Sequence, residues 1–425
     1  MNVSKFGQKI AIQSGIGQLM DDLGAALLRQ DDVLMLGGGN PAHIPEVERH
    51  FRRSMMAMLQ DGDRFERAIG EYDPPEGNGE FIHAMSSLLC DQFGWNIGPG
   101  NMALTNGSQL AFFILFNLFG GPYEDGTTKR ILFPLTPEYI GYSDVGLTPD
   151  LFTALRPGIE YLDERLFKYH IDFDHLNVTD DIGAICVSRP TNPSGNVLTN
   201  AELERLSDIA RARSVPLIVD NAYGTPFPHI VFTEADPVWN ENTIVCMSLS
   251  KLGLPGTRTG IVIAREEIVE MVARVNAVMS LAPGSLGTAL ATDLVRSGEI
   301  IRLSRDVIAP FYRNKAQHAL ELIGRYFDGI DYRVHRPEGA FFLWLWLPNL
   351  PITSQQLYER LKARNVIVVP GHYFFPGLTE PWPHTNECLR ISYARDEATV
   401  AAGIEAIAAE VKRAYRGNQG GSPKP

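Results

Sequence analysis

The sequence predicts an α/β protein: a mostly parallel, doubly wound sheet covered by helices, with a smaller α+β domain beside it. Three observations carry this. Short, nearly continuous Val/Ile runs recur through the middle of the chain, as strands covered on both faces require. An amphipathic stretch of helical period lies between two of those runs, and strand–helix–strand order favours parallel pairing. Beyond about Asp331 the texture changes to bulky aromatic strands set among helices.

Taken in order, buried strands are expected at Arg130–Pro134, Ala184–Ser188, Leu217–Asp220, Thr243–Ser248 and Gly260–Ala264. The helix between the second and third covers Thr199–Arg213. Thr199 followed three residues on by Glu202 forms a capping box, and Leu203, Leu206 and Ile209 or Ala210 supply the inward stripe. In the C-terminal part, Phe341–Trp346, Val366–Val369 and Cys388–Tyr393 read as strands, with a helix at Ser354–Asn365 between the first two. A last helix, Glu397–Arg416, precedes the polar tail GNQGGSPKP, which is expected to be disordered. The expected division is residues 1–45 as an N-terminal segment completing the small domain, 46–328 as the large domain, 329–416 as the small domain and 417–425 as tail.

A chain of 425 residues is too long for one small domain, and 21% charged residues against 44% hydrophobic ones exclude a disordered or fibrous class. The net charge of −12 comes without any lysine or arginine block, which argues against nucleic acid as a partner. Cys90, Cys186, Cys246 and Cys388 contain no C-x-x-C pair, and the histidines show no metal-ligand spacing, so no metal site is expected. The first residues lack the apolar core of a secretory signal, and no apolar run approaches membrane-spanning length. A cytoplasmic location is the default expectation, with no membrane partner.

The chemistry-bearing residues cluster after the expected strands. Ser248-Leu-Ser250-Lys251 leaves a buried strand into a Gly/Pro loop that carries Arg258. A lysine so placed is desolvated, which lowers its pKa and makes it a nucleophile; the plain alternative is a surface lysine. The same residues match the Ser-x-x-Lys of penicillin-recognising acylases, but the partner motifs S-D-N and K-T-G are absent. Asp220 ends a strand at the sheet's carboxyl edge, where open α/β folds bind ligands, although an ordinary helix N-cap explains it equally well. The turn Ser188–Gly195 could present Asn192, or be only a turn. Thr105-Asn-Gly107-Ser108-Gln109 opens an apolar helix and could cradle an anion, with Ser108 as a plain N-cap the commoner case. Tyr139 is either core or a stacking ring.

Their order is more specific than any one of them: phosphate turn, aromatic, Asn, Asp-x-x-Tyr, Ser-x-Ser-Lys, Arg, and a late Arg390 in LRIS. This set resembles the fold-type I pyridoxal-phosphate (PLP) aminotransferases of the aspartate aminotransferase superfamily, over Met35 to about Ala414. The resemblance implies that fold and PLP as cofactor. It makes Lys251 the residue that carries PLP and shuttles the substrate proton, with Asp220 on the pyridine nitrogen and Asn192 and Tyr223 on the ring hydroxyl. Gly107, Ser108, Gln109, Ser248, Ser250 and Arg258 would surround the phosphate, Tyr139 would stack on the ring, and Arg390 would take the substrate α-carboxylate. Gly39 and Asn40 match the segment that closes over substrate. Tyr72 matches a tyrosine that reaches the neighbouring subunit's phosphate, which implies a homodimer with shared sites. One departure is that Arg258 stands seven residues after Lys251, where many members have eight; the branch related to aminoadipate aminotransferases has the shorter spacing.

The expected reaction is transfer of an amino group between a small neutral L-amino acid, such as valine or alanine, and a 2-oxo acid. No second arginine matches the distal-carboxylate residue of dicarboxylate enzymes, and an unpaired charge in a closed site is costly. Trp382 and His384 could line the pocket or simply pack. Three rivals are weighed: a β-lyase or decarboxylase on the same fold, a PLP-sensing regulator lacking room for a DNA-binding domain before Leu36, and the Ser-x-x-Lys acylase.

Overall fold

The computed structural model describes residues 2–11, 15–28 and 33–419. Its main sheet runs, side by side, through Met102–Thr105, Gly260–Ile263, Thr243–Ser248, Leu217–Asp220, Ile182–Ser188, Thr128–Phe133 and Gly121–Pro122, with Phe152–Ala154 also on Thr128–Phe133. The middle strands are parallel. Gly260–Ile263 alone runs against both its neighbours. All residues of Ile182–Ser188, Leu217–Asp220, Thr243–Ser248 and Gly260–Ile263 are buried, the reason their sequences are continuous apolar runs instead of alternating ones. All five expected strands form, with ends moved by at most two residues.

Register fixes what lies at the sheet's carboxyl edge. Ser188 pairs with Asp220, and Asp220 with Cys246, so these chain positions stand level where the strands finish. The helix Asn200–Ala212 packs behind them. Thr199 caps it, Glu202 closes the box, and Leu203, Leu206 and Ala210 face inward. The helix Ser108–Phe119 starts against the sheet's other end, its N-cap Gly107 at φ 85°, a backbone conformation that glycine adopts without strain.

A second sheet runs Val369–Pro370, Cys388–Ser392, Phe342–Trp346, Arg333–His335, Leu166–His170 and Gly158–Tyr161. Its last two strands come from well before residue 329, so this sheet draws on both sides of that position. The expected strand Val366–Val369 is in fact two. Val366–Ile367 pairs with Leu34–Met35, and Val369–Pro370 with Cys388–Ser392, because the two halves find partners in different sheets. Pro370 has no N–H with which to extend the ladder.

Two helix ends also need correction. The helix expected at Ser354–Asn365 stops at Lys362, and Asn365 takes φ 58°, which asparagine tolerates better than most residues. The last helix continues to Gln419, three residues into the segment expected as tail, since each residue added to a formed helix gains a hydrogen bond. The rest of that expected tail, 420–425, lies outside the described residues. Near the N-terminus, the helix Gly15–Leu28 is tied to the C-terminal part. Tyr373 donates to Gln18 at 2.5 Å, and Asp22 accepts from Tyr358 and from Lys362 Nζ.

Candidate active site

A cavity of about 610 Å³ opens at the carboxyl edge of the main sheet. Lys251 lies on its wall, three residues past the strand Thr243–Ser248 that delivers it. Its Nζ donates to the carbonyl of Gly39 at 2.7 Å and sits 5.4 Å from the Tyr223 ring centre and 5.6 Å from that of Phe341. Enclosure by protein, reinforced by the Arg390 and Arg258 charges and opposed by Asp220, lowers the amine to about 8. The surface-lysine alternative is therefore wrong for this residue.

Asp220 is buried at the strand end. Oδ2 accepts from the Tyr142 hydroxyl at 2.5 Å and Oδ1 from the Ala222 N–H at 2.9 Å. Burial raises its pKa, while those two bonds and the Lys251 charge hold it down. It caps no helix, so the N-cap alternative falls. Asn192 and Tyr223 line the same cavity, Tyr223 with its hydroxyl pushed up by burial and its ring edge-on to Phe341.

The anion cradle is built by close backbone approach. A Cβ on Gly107 would lie 2.2 Å from Arg258 Nη2, so only glycine lets that guanidinium reach the helix start. A Cβ on Gly260 would lie 2.7 Å from the Ser108 nitrogen. Ser108 is the first helical residue, not the N-cap, and no side chain caps the helix. Its first N–H groups are thus directed at whatever stands before them. Ser108, Gln109, Ser248, Ser250 and Arg258 all line the cavity. Ser248 Oγ accepts from the Ser250 N–H at 3.0 Å, which folds that loop back on itself. Gln109 donates to the Gly141 carbonyl at 3.0 Å, and Tyr139 stands at the wall beside it.

Arg390 comes from the other sheet and is 2% exposed. One nitrogen donates to Asn192 Oδ1 at 2.8 Å and another to the Gly37 carbonyl at 2.6 Å. Its ring neighbours are Phe342 and Phe374, 4.3 and 5.3 Å from the guanidinium carbon. Burial brings its pKa down to about 10. Among the described residues its Nε is a buried donor without a partner, which suits an incoming carboxylate. Gly39 and Asn40 line the cavity beside it.

Tyr72 is not brought here: its side chain is 83% exposed and lies off the cavity wall. Trp382 and His384 also lie off it; they stack on one another at 4.3 Å between ring centres, so the packing alternative holds. Sequence reasoning missed several cavity residues. Ile16, Leu19 and Met20 give it an apolar wall from the N-terminal helix, and Arg395 stands exposed at its edge. It also missed Glu138, Tyr142 and Ser188, which lie behind Asp220. An acidic residue inside the apolar stretch LFPLTPEYIGY was the available signal, because carboxylates are seldom fully buried. Among the described residues no group of three or more His, Cys, Asp or Glu side chains could hold a metal ion, and no helix is long and apolar enough to cross a membrane.

Comparison with known proteins gives the same direction as the geometry. The model of the family "Aminotransferase class I and II" matches residues 158–407. The chain is 51% identical over 415 residues to the valine–pyruvate aminotransferase of Escherichia coli K12, covering 98% of this chain and 99% of that one. A crystal structure of a putative amino-acid aminotransferase from Psychrobacter arcticum 273-4 superposes with a TM-score of 0.95 at 46% identity, over 98% of this chain and 99% of the other. That of valine–pyruvate aminotransferase from Salmonella typhimurium LT2 gives 0.87 at 49% identity, over 94% and 99%. The chain belongs to the class I and II aminotransferases, has their fold, and is an aminotransferase.

Proposed function

We propose that this aminotransferase exchanges an amino group between a small neutral L-amino acid and a 2-oxo acid, with valine and pyruvate as its pair and PLP as its cofactor. The observation that carries the reading is Lys251 Nζ, enclosed on the wall of a cavity with an acid, an anion cradle and a buried guanidinium around it. The donor set fits PLP: an uncapped helix start, a glycine that a Cβ would block, and a carboxylate at a strand end. The E. coli and Salmonella relatives, named for valine and pyruvate, support the choice of pair.

When bound, PLP supplies an electron sink conjugated to the substrate's amino group. The rest is done by the chain. Lys251 would hold the cofactor through Nζ, and once the substrate's amino group has displaced it the freed amine would take and return the Cα proton. An amine lowered to about 8 sheds its proton more readily than an ordinary lysine, as a proton carrier requires. Asp220 keeps the pyridine nitrogen protonated by an ionised carboxylate. Asn192 and Tyr223 would hydrogen-bond the ring hydroxyl, and Tyr139 would pack against the ring. Gly107, Ser108, Gln109, Ser248, Ser250 and Arg258 hold the phosphate. Arg390 binds the α-carboxylate and so orients the Cα–H bond, with Gly39 and Asn40 closing above it. Ile16, Leu19 and Met20 offer a neutral side chain an apolar wall.

In this reading residues 46–328 form the cofactor-binding part and 1–45 with 329–416 the part that closes over substrate. Tyr72 serves the phosphate of a second copy, which makes the working unit a homodimer in the cytoplasm. The test is the visible absorption spectrum of purified protein, before and after L-valine without an acceptor. A band that valine bleaches supports both cofactor and donor. No band after adding PLP overturns the cofactor, and a band that ignores valine but bleaches with L-glutamate overturns the donor.

A further inference from the structure

Behind Asp220 a second acid is buried. Glu138 lies in the turn after Thr128–Phe133 and is 1% exposed. Its Oε1 accepts from the Ser188 N–H at 2.9 Å and its Oε2 meets the Ser188 hydroxyl. Ser188 Oγ lies 3.3 Å from the Tyr142 hydroxyl, and that hydroxyl donates to Asp220. Four side chains thus form one line, Glu138–Ser188–Tyr142–Asp220, with a carboxyl group at each end.

The surroundings of Glu138 are anionic or neutral. The carboxylate of Asp220 acts on it from the end of Leu217–Asp220, the Cys186 thiol faces it from Ile182–Ser188, and Tyr139 and Tyr142 lie on its own turn. The Glu138 N–H donates to the Phe374 carbonyl, the contact from the C-terminal part. Burial first, and the Asp220 charge after it, push Glu138 up to about 8 against the pull of the two Ser188 bonds and of the Tyr139 N–H. The two hydroxyls can serve one carboxylate each, but two charges buried this close repel and neither is solvated, which favours one proton shared along the line.

We propose that Glu138 is a positioning residue for Asp220: it keeps that proton, donates to Ser188 Oγ, and sets every hydroxyl in the line to donate towards Asp220, which then carries the charge. The order of donation is Glu138 to Ser188, Ser188 to Tyr142 and Tyr142 to Asp220. With Glu138 ionised, Ser188 turns its hydroxyl back to Glu138 and Tyr142 receives no bond, which leaves Asp220 held by a less polarised donor. The link to the cofactor's ring nitrogen rests on the PLP reading; the location of the proton does not.

Two measurements separate these. The first is the thermal midpoint of ligand-free wild type and Glu138→Gln from pH 5 to 9. Glutamate in the unfolded chain titrates near 4.3, so between there and about 8 the folded protein binds more protons than the unfolded one and loses stability as pH rises. Glutamine keeps the neutral donor and has no such loss. The midpoint of Glu138→Gln relative to wild type should climb through that window and level off above it; a difference constant across pH overturns the buried proton. The second is the PLP dissociation constant of the apoprotein by absorbance titration. Glu138→Ala and Ser188→Ala should each weaken PLP tenfold or more, the double variant no further, and Glu138→Gln should restore most of the affinity. Additive losses, or wild-type affinity in Glu138→Ala, overturn the relay. If wild-type protein binds no PLP the function falls with the cofactor link, while the pH series still decides where the proton lies.

Discussion

The floor and the roof of the cavity are built by opposite means. The floor is a row of strand ends: Ser188, Asp220 and, two residues past the paired Cys246, Ser248, each fixed by ladder hydrogen bonds inside fully buried strands. The roof is made of pieces distant in sequence, the Gly37–Asn40 segment, Arg390 and the helix Gly15–Leu28, held together by side-chain bonds and packing. The floor can tolerate a buried acid pair and a lowered amine because its backbone cannot move away from them. The roof puts its polar side chains against carbonyls, and such contacts can be exchanged for a ligand at little cost. A rigid floor suits unchanging cofactor chemistry, while an assembled roof suits binding and release.

Removing Lys251 should separate the two most sharply. Lys251→Ala should lower turnover by about 10²–10⁴-fold or more, the range for loss of a positioned proton carrier, with circular dichroism unchanged. Retained turnover would break the assignment of the floor as the chemical side. The same position tests strain. A lysine lowered to about 8 in the fold titrates near 10.4 unfolded, so the unfolded chain holds the extra proton between those values and stability rises with pH through that window. Lys251→Met in ligand-free protein should therefore raise the thermal midpoint most at or below pH 8 and progressively less towards 10.4. A loss of stability at pH 7 would show that the amine is not strained.

Arg390→Ala probes the roof. Removing the buried guanidinium that would pair with the substrate carboxylate should weaken transition-state binding by about 2–5 kcal/mol, seen in both KM for the amino acid and kcat. PLP affinity should change far less, and an equal loss of both would merge floor and roof into one unit. Gly107→Ala falls next. The new Cβ would meet Arg258 Nη2 and the backbone would be held at φ 85°, ψ 156°, a cost of about 1–3 kcal/mol measurable by denaturant unfolding, together with weaker PLP binding. Smallest is Tyr72→Ala. With the side chain 83% exposed, unfolding stability should shift by less than about 0.5 kcal/mol, while PLP affinity falls only in the dimer.

The sequence was most legible where local rules and burial agree. The runs ending at Ser188, Asp220 and Ser248 are apolar because both sheet faces are covered, so the strands and their functional ends could be read together. The capping box at Thr199 and Glu202 is local chemistry and formed as expected. Val366–Val369 misled, because a four-residue apolar run says nothing about whether its halves share a partner. Glu138 went unread for a related reason: a single acid in an apolar stretch does not reveal which hydroxyls will meet it.

By itself the sequence determined the α/β class, the strands that make the floor and the residue types at their ends, since these follow from periodicity, β-branching and turn chemistry along short stretches. Only the tertiary structure decided that Arg390 stands over Asn192, that Arg258 needs Gly107 bare, that the N-terminal helix walls the cavity, and that Glu138 stands behind Asp220. These are contacts between residues up to hundreds of positions apart. No local propensity encodes them; they arise when the buried faces of separate elements are packed together and the polar groups trapped between them must find partners.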